Sequence, residues 1–266
     1  MSHLGKRPVA LMVAGAATLA IVLLLMRGWT DQGSPESTAG PDLSGVWDLP
    51  GSAQADDAAF ANHRVPYARV VPGSIQREEP SMTPWAMEIF KRNREGITDP
   101  VENGRKELDP SEWCFPHGPS RMYTSTKPFE ILQRQQEVTI RFERDHLVRR
   151  VYTDGREHPE GFPISWRGHS IGKWEGDALV VDTVYINPVT WIDGLGYPKS
   201  DEMRMVERFR LVTPDTLDLD ITFHDPKAYT KPWTESMNFE RKPGYEIKEH
   251  FECEDLLEMG KYRPSE

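Results

Sequence analysis

The feature that most constrains this chain is a change of period at Phe129. From there on, apolar side chains recur at every second residue in short runs, and most runs end in a turn signal. Phe129 to Arg134, Val138 to Phe142 and Leu147 to Tyr152 come first, the last closed by Asp154-Gly155-Arg156. Trp166 to Lys173 and Ala178 to Ile186 flank Glu175-Gly176-Asp177. Met203 to Val212 and Leu217 to Phe223 flank Thr213-Pro214-Asp215, and weaker runs cover Met237 to Arg241 and Glu246 to Phe251. With an early strand around Trp47 this makes about eight to ten strands in hairpin succession, and such strands must hide one face each. The spacing predicts an all-β domain: an antiparallel, up-and-down, closed barrel.

Upstream of the meander the alternation fades. Thr83-Pro84-Trp85 opens one accessory helix, with Thr83 as cap, Pro84 at the first helical position, Trp85, Ala86, Ile89 and Phe90 as its apolar side, and Gly96 as stop. The extreme N-terminus is different again. Lys6 and Arg7 precede an uncharged run from Val9 to Met26, which reads as an uncleaved signal-anchor, with cleavage as the alternative. Residues 1–28 are thus expected to be a membrane segment, 29–41 a flexible tether and 42–266 the barrel domain. The basic flank favours a cytoplasmic N-terminus and export of the rest, so the expected location is the bacterial periplasm, tethered to the inner membrane, or secreted if the segment is cut. In that oxidising compartment Cys114 and Cys253 are candidates for a disulfide, with two buried thiols as the alternative.

Composition excludes some classes. A net charge of -10 without a basic stripe speaks against nucleic acid as a partner. Nucleophile-elbow, phosphate-loop and dinucleotide motifs are missing and the histidines lack metal-ligand spacing, so neither a cofactor nor a metal is implied.

Side-chain parity then locates candidate chemistry. If Glu175-Gly176-Asp177 is a three-residue turn, even residues oppose even residues, and Asp182 faces inward beside Trp166, Gly168, Ser170 and Gly172. On the next hairpin Glu207 interrupts an inward apolar stripe of Met203, Met205, Phe209 and Leu211. A buried carboxylate needs a partner, so Asp182 and Glu207 either line a lumen as general acid or base or form structural pairs, with Arg121 as the candidate partner of Asp182. His158, in a loop rich in Gly and Pro, is a third candidate for proton transfer, or else an exposed loop histidine. Arg121, Trp166, Ser170, Trp191, Asp193 and Tyr229 are candidate ligand contacts, the aromatics as pocket walls or as a plug.

The segment Gly45-Val46-Trp47 resembles the Gly-x-Trp of the first strand of lipocalins, which makes the expected barrel lipocalin-like. Cys114 to Arg121, Asp154 to Pro159, Trp166 to Thr183, Trp191 to Asp193, Val206 to Phe209 and Asp225 to Trp233 together resemble a broad group of uncharacterised exported bacterial proteins. In that group histidine often stands where this chain has Lys199. The expected function is a periplasmic barrel holding a small, partly apolar molecule in its lumen. Cofactor-free acid–base catalysis of the lyase, hydratase or isomerase type leads; a non-catalytic carrier or sensor, or an envelope interaction module, are the alternatives.

Overall fold

The computed structural model describes residues 40–51, 75–77, 79–98, 109–124 and 127–248. The expected membrane segment, most of the tether and Cys253 lie outside them. Among the described residues no helix is long and apolar enough to cross a membrane, and no cysteine is free.

The described strands are β1 (Gly45–Asp48), β2 (Ile75–Arg77), β3 (Phe129–Gln133), β4 (Glu137–Phe142), β5 (Val148–Tyr152), β6 (His169–Glu175), β7 (Ala178–Val184), β8 (Arg204–Thr213), β9 (Thr216–His224) and β10 (Trp233–Arg241). They pair in the order β1-β3-β4-β5-β6-β7-β8-β9-β10, and β1 also pairs with β10, which closes nine strands into a barrel; β2 adds to the free half of β10. The all-β closed barrel is as expected.

Two features differ from expectation, one in the topology and one in the register. First, β5 and β6 run parallel, with Val151 opposite Ser170. A parallel neighbour cannot be reached by a tight turn, and residues 153–168 supply the crossing. Gly168 ends that crossing at φ +66, where a Cβ would collide with the Val184 carbonyl. Second, the β6–β7 turn has two residues rather than three. Glu175 pairs with Ala178 across Gly176 (φ +64) and Asp177. The missing residue reverses parity: Ser170 opposes Thr183 and Ile171 opposes Asp182. Ser170 with Leu179, Val181 and Thr183 is therefore buried, while Asp182 stands on the outer face, against expectation.

On β8 and β9 the expected alternation holds, with Met205, Glu207 and Phe209, then Leu217, Leu219, Ile221 and Phe223, all buried. β10 begins earlier than its sequence signal and points Trp233, Glu235, Met237 and Phe239 inward, whereas residues 246–248 form no strand. Helix α1 (Pro84–Thr98) starts where Thr83 Oγ1 accepts from the Ala86 N–H, but it runs through Gly96 rather than stopping there. It docks by Phe90, stacked on Tyr197 at 4.6 Å, and by Asn93, whose Nδ2 donates to the Gly196 carbonyl.

The barrel centre is packed. A short helix, α2 (Pro119–Tyr123), drives Tyr123 into it, where the ring meets Phe129, Phe142 and Phe209 edge-on at 5.4, 5.2 and 6.0 Å. Such contacts give both burial and favourable quadrupole geometry. The expected ligand-holding lumen is filled at this level by side chains.

Candidate functional site

Glu207 faces inward and is fully buried, as its strand parity requires. Its partner is Arg149 of β5, which the sequence reading missed: Nη1 donates to Oε1 at 2.6 Å and Nη2 to Oε2. The remaining donors of this guanidinium are also engaged. Nε donates to Ser170 Oγ at 3.1 Å, Nη2 to Thr183 Oγ1 at 2.6 Å and Nη1 to the Tyr123 hydroxyl at 3.0 Å. Burial works against the charge on Arg149, yet Glu207 and Tyr123 raise its pKa further above an already basic value, and burial pushes the Tyr123 hydroxyl well above 10. A satisfied network of this kind ties β5, β6, β7, β8 and α2 together at one point.

Arg121 does not reach Asp182. It forms a forked pair with Asp109, Nη1 donating to Oδ1 at 2.8 Å and Nη2 to Oδ2, with both residues buried. Around it, at the end of the barrel where β7 leads to β8 and β9 to β10, the other aromatic and acidic candidates gather. Trp191 lies 5.9 Å from the Arg121 guanidinium, the Tyr229 hydroxyl donates to the Pro198 carbonyl at 2.6 Å, and Asp193 accepts from Arg77 at 2.6 Å. Arg77 also pairs with Glu235. Burial nevertheless pushes the Glu235 carboxyl up to about 7, with Arg77 opposing and Asp193 reinforcing the rise. Lys199 is buried here too. Its Nζ donates to the Thr190 carbonyl and, at 3.0 Å, to Thr190 Oγ1, and burial, then Arg121, bring its pKa down to about 7. A cleft of about 400 Å³ opens beside Lys199, between Trp85 and Trp191. Trp166 sits elsewhere, tilted against Phe115 at 5.5 Å.

The larger concavity lies on the outer wall. Strands β6 to β10 turn Ile171, Val180, Val206, Thr222 and Thr234 toward a groove of about 980 Å³, within the usual size of ligand pockets. Two of the candidate proton-transfer residues meet at its edge. Asp182 accepts from Arg204 twice, Nε to Oδ1 at 2.8 Å and Nη2 to Oδ2 at 2.7 Å. His158 Nε2 stands 3.7 Å from Asp182 Oδ2, and its Nδ1 is 2.8 Å from Nδ1 of His169. One proton serves that imidazole pair, since one ring must donate and the other accept. Burial, then the charges of His158 and Arg156, lower the pKa of His169, whose ring is stacked on Tyr152.

Apart from Trp166, the expected residues thus fall into three groups: Ser170 and Glu207 in the core, Arg121, Trp191, Asp193 and Tyr229 at the barrel end, Asp182 and His158 on the wall. Alternation gave no signal for Arg149, because each face of β5 carries one arginine and one valine, Arg149 with Val151 and Arg150 with Val148. Among the described residues no group of three or more His, Cys, Asp or Glu side chains is placed to hold a metal ion.

Fold and groove together define a closed β-barrel able to bind a small molecule. No protein-family model matches the chain, and no curated protein matches it either.

Proposed function

We propose that this is a periplasmic small-molecule-binding barrel, held at the inner membrane by residues 1–28, whose binding site is the outer-wall groove rather than the lumen. The observation that carries the reading is the groove itself: an apolar floor of Ile171, Val180 and Val206 bordered by exposed guanidinium and ammonium groups. A partly apolar ligand buries its body on the floor while polar groups at the border fix its orientation. Native mass spectrometry of the protein purified from its own cells tests this. A co-purifying small molecule displaced by Val206→Asp supports the groove; a bound molecule indifferent to that substitution refutes it.

A second reading, cofactor-free proton transfer of the lyase, hydratase or isomerase type, is favoured by the His158–His169 hydrogen bond beside Asp182. Chemically unchanged ligand after prolonged incubation with the wild-type protein excludes it. Turnover that Asp182→Asn abolishes without loss of binding supports it.

A further inference from the structure

The groove is less acidic than the chain as a whole. Acidic residues outnumber basic ones 42 to 32 in the whole sequence, whereas the charges of the groove balance: Arg156 is forked onto Asp154, which leaves Lys173, Arg204 and Arg208 against Glu175, Asp182 and Asp220. The acids are also the more fully engaged. Asp182 is forked by Arg204, Glu175 accepts from Lys173 at 2.7 Å and from Arg208 at 3.1 Å, and Asp220 accepts from Ser236 Oγ at 2.5 Å. The cations keep donors in hand. A guanidinium carries five N–H groups, of which Arg204 gives two to Asp182 and Arg208 one to Glu175. Their side chains are 54 % and 45 % exposed and that of Lys173 is 72 %, whereas Asp182 is 22 % exposed.

We propose that the occupant of the groove is a small monoanion with an apolar body, a carboxylate whose head is held by Arg204, Arg208 and Lys173 while its alkyl or aryl part lies on Ile171, Val180 and Val206. This rests on the groove being the binding site. What the groove offers an anion is the unused N–H donors of Arg204, Arg208 and Lys173, which a single carboxylate head can take up. The fork of a guanidinium matches the two oxygens of a carboxylate. Opposite charge at an open rim also makes the affinity depend on ionic strength.

The full chain is titrated calorimetrically with decanoate, decanol and decyltrimethylammonium, below their micellar concentrations, at about 0.02 M and about 0.5 M salt. The rim variant Lys173→Gln/Arg208→Gln is titrated in parallel. Decanoate is expected to bind at least about tenfold more tightly than decanol at low salt. High salt and the rim variant each remove that advantage, and neither alters decanol binding. If decanol equals decanoate, or the ammonium compound binds best, the anionic ligand is refuted while the groove remains a binding site. If none of the three binds, the groove reading fails and the proposal with it.

Discussion

Glu207→Gln is the perturbation whose cost follows most directly from the structure. Glu207 is fully buried and holds Arg149, itself 1 % exposed, by two charge-assisted hydrogen bonds. The amide keeps one acceptor oxygen but presents an NH2 to a guanidinium that only donates, so a buried cation is left short of its counter-charge. Removing one member of such a pair costs about 3–5 kcal/mol. Arg149→Met costs a similar amount by the opposite route: Glu207 remains buried without its cation, its Ser170, Thr183 and Tyr123 neighbours lose a shared donor, and the carboxyl takes up a proton. The double replacement Arg149→Met/Glu207→Leu removes both charges and is expected to cost far less than the sum. Urea unfolding followed by tryptophan fluorescence reads this as a drop in midpoint for each single variant, at unchanged slope, and a recovery in the double variant. Single variants within about 0.5 kcal/mol of wild type, or costs that simply add, refute the network as the element joining α2 to the barrel wall.

Acid titration separates two buried groups with opposite signs. His117 is brought by burial to about 4 from 6.5, so its contribution is full above pH 6.5 and is lost as pH falls toward 4; Glu235, near 7 rather than 4.5, contributes fully below pH 4.5 and loses this as pH rises toward 7. Each is worth about 3 kcal/mol, so between these limits the two slopes oppose one another, and Glu235→Gln is expected to unmask stability that rises with pH while His117→Gln unmasks a fall. Unfolding midpoints with identical pH slopes in all three proteins contradict both assignments. Gly168→Ala forces a side chain into the Val184 carbonyl at positive φ and is expected to cost about 1–3 kcal/mol, seen as a lower Tm; an unchanged Tm means the crossing into β6 is not constrained there. The bridge expected between Cys114 and Cys253 predicts no alkylation by iodoacetamide in denaturant until a reductant is added, whereas two immediate adducts refute it.

How much of this was legible in the sequence depends on the turns. At the β8–β9 turn Thr213 pairs with Thr216, but a register shift between Leu211 and Thr213 restores odd-to-odd pairing, so alternation placed Glu207 and its apolar neighbours inward correctly. Where one residue of turn length decides parity, as at Gly176, reading three residues for two carried Asp182 to the wrong face and with it the expected Arg121 partner. The local pattern offered no warning, because Val180 and Val184 on the outer wall are as apolar as Val181 within. The outer strip is apolar because it floors a groove, and an apolar outer face makes the two faces of a strand indistinguishable by hydropathy. Arg149 was hidden for the complementary reason: a charge inside a barrel looks like a surface residue until its acid is found on another strand. The Asp109–Arg121 pair joins segments whose approach follows from tertiary packing rather than from periodicity.

Occupancy of the outer-wall groove is tested most directly by chemical-shift mapping of backbone amides in the isotope-labelled protein during titration with decanoate. A ligand in the groove shifts amides of the outer wall alone, at Ile171, Val180, Val206, Thr222 and Thr234, with the amides of Tyr123, Phe129 and Phe239 unmoved. Shifts that instead centre on Tyr123 and the aromatic residues around it place the ligand in the lumen and refute the groove as the binding site.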